Sequence, residues 1–141
     1  MPPDSNNVYA TLTVRVYYED TDAGGVVFYA NYLKFFERGR TEWLRRLGVN
    51  QSELALREQR IFVVKKLDTR YLKPARLDDL LTIHSQITRV GRASIDFYQY
   101  AEFDGQRLCE GNIQICCVDA NTLRPAALPG ELKTLLEKVQ E

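Results

Sequence analysis

Residues 17–32, YYEDTDAGGVVFYANY, hold the side chains of this chain that could carry out chemistry. Three carboxylates, Glu19, Asp20 and Asp22, precede a pair of glycines and an aromatic-rich stretch at the start of a helical pattern. Carboxylates are costly to bury unpaired, and glycines allow positive φ angles and close backbone approach. A helix N-terminus offers free N–H groups that favour developing negative charge. The segment therefore suits a catalytic site, or else a solvated turn followed by a helix cap.

Asp20 and Asp22 compete for the role of reacting carboxylate. In an extended chain they would lie on the same side, about 6.6 Å apart, so each would disfavour ionisation of the other. The residue types alone do not choose between them. One carboxylate and one helix N-terminus are enough to activate water, or attack a carbonyl, and to stabilise the resulting oxyanion.

The same segment resembles the signature of hotdog-fold acyl-CoA thioesterases. It is most similar to the branch of 4-hydroxybenzoyl-CoA thioesterase and the Tol–Pal-associated thioesterases of bacteria, which reads D-x-D-x-x-G-V-V/I, two aromatic or His positions, and a later Tyr. The resemblance continues through residues 36–42 (FERGRTE), 71–79 (YLKPARLDD) and 124–129 (RPAALP). It implies a single α+β domain over residues 1–141, in which a five-stranded antiparallel sheet wraps a long central helix.

The resemblance also implies roles for individual residues. The second Asp of D-x-D, Asp22, corresponds to the catalytic general base or nucleophile, and Asp20 becomes a supporting residue. The backbone N–H of Tyr29, or of a neighbour, would polarise the thioester carbonyl. Tol–Pal members usually carry His at this position, whereas the hydroxybenzoyl branch carries Tyr, so the acyl preference stays open. Substrate contacts are expected at Gly25, Val26, Phe28 and Tyr32.

Further candidates lie outside this segment. Glu37, on the long helix, is a second candidate acid, with a surface pair to Arg40 or Arg38 as the alternative. The phosphates of CoA need cationic partners; Arg92 matches a basic position of the hydroxybenzoyl branch and Arg89 flanks the same turn. Weaker phosphate candidates are Tyr71, Lys73 and Arg76. A tyrosine group could line an acyl pocket: Tyr17, Tyr18, Tyr29 and Tyr32.

Hydrophobic periodicity predicts the elements that position these residues. We expect a strand at 11–19, a helix from about 30 to 47 and a short helix at 51–58. The strands that follow should be 61–71, one carrying Leu81, Ile83 and Ile87, one carrying Ile95 and Phe97, and 107–118, before a helix at 129–139. Gly39 interrupts the long helix at a cost of about 1 kcal/mol relative to Ala, which predicts close packing of the helix against the sheet.

Composition narrows the function classes. Nineteen basic and nineteen acidic residues cancel, which argues against a bulk nucleic-acid binder. No apolar run is long enough for a membrane span, and the start of the chain does not read as a signal peptide; residues 1–9 are expected to form a flexible lead-in. Cys109, Cys116 and Cys117 suit buried reduced thiols in the cytoplasm. We expect no cofactor and no metal site.

Three alternatives can be weighed from the sequence. A hotdog dehydratase would need a histidine facing a helix carboxylate, but the only histidine, His84, falls on the polar side of a strand pattern. A non-catalytic module that binds acyl-CoA or acyl carrier protein remains the alternative to an acyl-CoA thioesterase. Open sheet edges favour pairing between chains, so we expect a homodimer or homotetramer.

Overall fold

The computed structural model describes residues 10–140. It contains a five-stranded antiparallel sheet with a long helix across one face. The strands are β1 (Ala10–Arg15), β2 (Arg60–Tyr71), β3 (Leu80–Val90), β4 (Ser94–Phe103) and β5 (Gln106–Asp119), in the spatial order β1-β3-β4-β5-β2. The helices are α1 (Asn31–Arg46), α2 (Gln51–Glu53) and α3 (Gly130–Val139). The predicted α+β arrangement is confirmed, and the lead-in predicted at 1–9 lies outside the described residues.

The long helix buries one face against the sheet because its apolar residues recur at helical spacing. Tyr32, Phe35, Phe36, Trp43 and Leu44 are all at most 3% exposed. They meet the inward side chains of β3 and β4, where alternate residues are buried as expected for a sheet with one covered face. No helix within residues 10–140 is long and apolar enough to cross a membrane.

Gly39 lies at the closest approach of α1 to the sheet. A Cβ atom at this position would sit 3.0 Å from Cγ2 of Ile83, 3.1 Å from Oγ of Ser85 and 3.2 Å from Nε2 of Gln99. These distances are tighter than almost all real Cβ contacts. The close packing predicted from the sequence is therefore confirmed.

Two predicted elements differ in detail from the structure. The first strand ends at Arg15 instead of continuing to residue 19, and Tyr18–Asp20 form one turn of 3₁₀-helix. The predicted helix at 51–58 is α-helical only over Gln51–Glu53 and continues as a π-helical turn over Leu54–Glu58. Asp104 and Gly105, with φ angles of 55° and 77°, form the tight turn that joins β4 to β5.

His84 and the cysteines occupy the environments expected for them. His84 lies on the sheet face opposite α1, where Nε2 is 2.8 Å from Oε1 of Glu102 and the ring stacks on Tyr100. All three cysteines are buried free thiols. Burial raises the pKa of Cys109 to about 12, so this thiol stays neutral at physiological pH.

The contact at Gly39 predicts an asymmetry between two glycine substitutions. Gly39→Val should lower the free energy of unfolding by about 3 kcal/mol, because its γ-carbons must enter a packed seam. Gly130→Val is the control, since a Cβ there meets nothing within 4 Å, and should change stability by about 1 kcal/mol or less. Urea unfolding measures both; equal stability of the two variants would contradict the packing argument.

Candidate active site

Asp22 begins a tight turn that leaves its side chain exposed. Its Oδ1 accepts the N–H of Gly24 at 2.9 Å, its carbonyl accepts the N–H of Gly25 at 3.0 Å, and its own N–H donates to Val26 at 2.9 Å. Gly25 adopts a φ of 80°, a conformation that favours glycine. Among residues 10–140 no group donates a hydrogen bond to Oδ2 of Asp22. One carboxylate oxygen is thus fixed by the turn, while the other is available to a water or a carbonyl carbon.

The N-terminus of α1 lies shortly after this turn along the chain. Ala30 precedes the first helical residue, Asn31, and makes no side-chain cap. Within the described part of the chain the N–H of Tyr29 has no acceptor. An uncapped helix end with a free N–H can stabilise a developing oxyanion, and the oxyanion role expected at Tyr29 stays a prediction.

Asp20 differs from its expected position beside Asp22 on an extended strand. It ends the 3₁₀ turn, is 6% exposed, and accepts hydrogen bonds from the backbone N–H of Tyr17 (2.8 Å) and from Nδ2 of Asn31 (2.6 Å). The prediction of two neighbouring carboxylates on one face is wrong, because the strand ends at Arg15, five residues before Asp20. Asp20 is a buried, hydrogen-bonded group, and Asp22 is the exposed one.

Aromatic rings surround a cavity of about 250 Å³ next to the helix end. Tyr29 and Tyr32 line it together with Tyr71, whose ring centroid lies 6.0 Å from that of Tyr29 and 5.9 Å from that of Tyr32. The ring of Phe28 contacts that of Tyr29 in a tilted arrangement, with centroids 4.8 Å apart, and Phe28 is 44% exposed. The remaining lining residues are Val27, Leu72, Lys73 and Pro74. Tyr17 and Tyr18, grouped with Tyr29 and Tyr32 in the sequence-based prediction, do not line this cavity, whereas Tyr71, named there only for phosphate contact, does.

The backbone N–H and carbonyl of Ala75 connect the turn to the cavity through two hydrogen bonds. Its carbonyl accepts the N–H of Val27 at 2.8 Å, and its N–H donates to the hydroxyl of Tyr32 at 3.1 Å. Val26 forms an isolated β-bridge with Arg76. Burial raises the pKa of Tyr32 to about 12, so its hydroxyl remains neutral and holds the loop through hydrogen bonding alone.

Glu37 has a different neighbour from those predicted. Its Oε2 accepts a hydrogen bond from the hydroxyl of Thr41 at 2.6 Å. Neither Arg38 nor Arg40 forms an ion pair with it among the described residues. The predicted surface pair is therefore absent there, and Glu37 lies on an exposed face two turns into α1.

Arg89 and Arg92 lie far from Asp22 within one chain. The turn that carries Asp22 is attached beside the start of β3, where Val16 exchanges hydrogen bonds with Asp78 and Asp79. Arg89 and Arg92 flank the other end of β3, so its 11 residues separate the two regions by roughly 33 Å. Both arginines are exposed, and neither forms an ion pair among residues 10–140.

Sequence reasoning missed Asn31, whose side chain bonds to the buried Asp20. A signal was present, because asparagine is favoured at helix N-termini. The sequence could not predict that Asp20 is the partner of Asn31, because the burial of Asp20 depends on where β1 ends.

Comparison with known proteins identifies the family of this chain. Residues 24–110 match the thioesterase superfamily. The chain is 47% identical over 123 residues to the acyl-CoA thioesterase YbgC of Haemophilus influenzae, covering 87% of this chain and 90% of that protein. It is 46% identical over 117 residues to the acyl-CoA thioester hydrolase YbgC of Escherichia coli O6:H1, covering 82% and 87%. A crystal structure of a probable thioesterase from Bartonella henselae superimposes with a TM-score of 0.82 at 37% identity, covering 86% and 99%. The predicted hotdog thioesterase fold is confirmed, and this chain belongs to the thioesterase superfamily.

Proposed function

We propose that this enzyme hydrolyses acyl-CoA thioesters to the free acid and CoA. The observation that carries the proposal is the exposed Asp22 carboxylate followed closely by an uncapped helix N-terminus and an aromatic-lined cavity. Relatives that share almost half of the residues are named acyl-CoA thioesterases, which supports the same substrate class. The buried thiols support a cytoplasmic location for the reaction.

The proposed chemistry needs few groups. A thiol leaves as thiolate because its pKa is about 8.5, so no general acid is required. In the first route Asp22 takes a proton from water, the hydroxide attacks the carbonyl carbon, and the oxyanion is stabilised by the N–H of Tyr29. Collapse of this intermediate breaks the carbon–sulfur bond and releases CoA thiolate.

In the second route Asp22 itself attacks the carbonyl carbon. CoA thiolate leaves, an anhydride forms on Asp22, and water then hydrolyses it. The two routes use the same oxyanion site. A single turnover in ¹⁸O water separates them, because only the anhydride route permits label to enter the Asp22 carboxylate.

Loss of the carboxylate at position 22 should remove most of the activity. Asp22→Asn keeps the shape and can accept from Gly24, but an amide is neither a base nor an anionic nucleophile. We expect kcat to fall by about a hundredfold or more, with KM little changed because the cavity remains. Steady-state hydrolysis of short, long and aromatic acyl-CoAs, and of acyl carrier protein thioesters, provides the measurement.

Glu19→Gln is the matched control for this substitution, since Glu19 is an exposed carboxylate of the same segment. It should keep kcat within about twofold of the parent, the range expected for an exposed side chain away from the reacting atoms. If Asp22→Asn works at the parental rate, the assignment is wrong and Glu37 is the next acid to replace. A parent that binds acyl-CoA without hydrolysing it would instead support the binding-module alternative.

We further propose that two chains pair through β2, the edge strand next to β5. Its side chains Val63, Val64, Leu67 and Tyr71 are 39–49% exposed, and one side of its backbone has no neighbouring strand within residues 10–140. A two-fold axis beside the free edge of β2, level with its middle, would place the two β2 strands antiparallel and continue the sheet into the second copy. Arg92 of one copy would then lie at the same end of the sheet as Asp22 of the other.

This pairing predicts a dimer, or a tetramer built from dimers, at micromolar concentration. Val64→Asp should shift the protein towards monomer, because a charge would be buried between the paired strands. Leu56→Asp is the control, since Leu56 is 82% exposed and lies outside β2, in the helical turn that precedes it, and should leave the assembly unchanged. Sedimentation velocity distinguishes them; a stable folded parental monomer would rule out the pairing.

Arg92 should contribute to CoA binding. Arg92→Ala should raise KM with little change in kcat, because a phosphate contact far from the reacting carbon stabilises ground and transition states equally. High salt should have the same effect by screening. Arg57→Ala, an exposed arginine paired with Glu53, should leave KM unchanged.

Mixing the Arg92→Ala and Asp22→Asn chains tests whether the two residues act across the dimer. Random reassociation gives mixed dimers with one intact site each, so about a quarter of all sites should recover the parental KM and kcat. No recovery on mixing would place the two residues in the same chain's site. An unchanged KM for Arg92→Ala would direct attention to Arg76 and Lys73.

A further inference from the structure

Asp20 accepts three hydrogen bonds, and two of them, from Asn31 and Phe28, connect it to the residues around the start of α1. Its carboxylate accepts the N–H of Tyr17 at 2.8 Å and the Nδ2 group of Asn31 at 2.6 Å. Its backbone carbonyl accepts the N–H of Phe28 at 2.9 Å. The side chains of Asp20 and Asn31 belong to residues that are only 6% and 8% exposed. A buried carboxylate in this position depends on its donors, because losing one leaves a charge poorly compensated.

These bonds bracket Tyr29 on both sides. Phe28, the residue before it, is held through its own N–H, and Asn31, two residues after it, is held through its side chain. The carbonyl of Phe28 also accepts the N–H of Asn31 at 2.8 Å, which closes the short loop around Tyr29. Asp22 is separated from Asp20 by a single residue, so the carboxylate and the free N–H are attached to the same buried group.

We infer that Asp20 and Asn31 form a positioning pair that holds the N–H of Tyr29 in register with the carboxylate of Asp22. The inference rests on the proposed function, because it assigns the pair a role in the hydrolytic step. Neither side chain needs to touch the substrate. Oxyanion stabilisation depends on donors placed before the reaction begins, and a displacement of about 1 Å can cost on the order of a hundredfold in rate.

A charge swap tests this role without removing the pair. Asp20→Asn replaces one of two acceptor oxygens by an amide donor, which must face either Nδ2 of Asn31 or the N–H of Tyr17. Asn31→Asp sets two carboxylates against each other. The double variant Asp20→Asn/Asn31→Asp restores an N–H···O bond in the opposite direction. It also keeps a carbonyl oxygen at position 20 for the N–H of Tyr17.

We expect each single variant to lower kcat by about 10- to 100-fold while KM stays within about threefold, since binding of the CoA moiety does not use the pair. The double variant should return kcat to within about threefold of the parent, a coupling typical of groups in direct contact. Thr21→Val is the control: it removes the 2.8 Å bond from Thr21 to the carbonyl of Tyr18 in the same turn but leaves Asp20 bonded. Its kcat should match the parent.

All rates are to be measured well below the lowest melting temperature in the set, so that loss of folded enzyme does not lower kcat. Folded single variants at the parental kcat, or a double variant no faster than either single variant, would overturn the positioning role while the parent still hydrolyses acyl-CoA. A parent inactive on every acyl-CoA would overturn the proposed function and the inference together. Recovery of kcat in the double variant, with KM constant throughout, supports both.

Discussion

The close contact between α1 and the sheet at Gly39 is the constraint on which the rest of the structure depends. Gln99 fills the seam and is fully buried, yet each end of its amide is bonded: Nε2 donates to Ser85 Oγ (2.7 Å) and to the carbonyl of Phe36 (2.9 Å), and Oε1 accepts from Arg40 (3.0 Å). A satisfied buried network of this kind fixes one packing arrangement, since any shift of the helix would break several bonds at once. The helix N-terminus, and with it Tyr29, is therefore held at a fixed height above β3.

Arg40 illustrates the free-energy cost of burying a charge in this seam, and why the seam allows few alternative positions of α1. The guanidinium group is buried and bonded to a neutral amide, so burial lowers the pKa of Arg40, and the carboxylate of Glu37 opposes that shift from one turn away. The group stays charged at neutral pH, because an arginine pKa starts far above it. A cation that has one neutral partner at this depth tolerates few alternative helix positions. Its aromatic neighbour Phe97, 6.0 Å away, adds a weak attraction.

The sequence predicted the elements of the fold well where one local pattern was decisive. Helical spacing predicted α1 to within a residue at each end, period-two alternation predicted β3 and β4, and Gly39 was correctly interpreted as a close approach.

Prediction from the sequence failed where a tertiary partner decides the local conformation. The apolar alternation of β1 continues to Val16, but the pairing with β3 ends at Arg15, so Asp20 turns inward to donors on α1. The pairing of Glu37 with Thr41 is a similar case, since several groups one turn away compete for the carboxylate. The role proposed for Asp22 came from family resemblance, and the structure adds the exposure of its side chain.

The limited demands of thioester cleavage explain why so short a segment is enough for the proposed site. A good leaving group needs no acid, so the protein must supply one carboxylate, one oxyanion donor and an apolar wall. All three occur in the turn and first helical residues after β1, and their relative placement is set by backbone bonds to Ala75 and by the buried carboxylate of Asp20. In this proposal the acyl preference depends on the cavity walls, where Tyr29, Tyr32 and Tyr71 meet. These walls share no hydrogen bond with the seam at Gly39 in the described chain, so a substitution in them leaves the bonds of the seam in place.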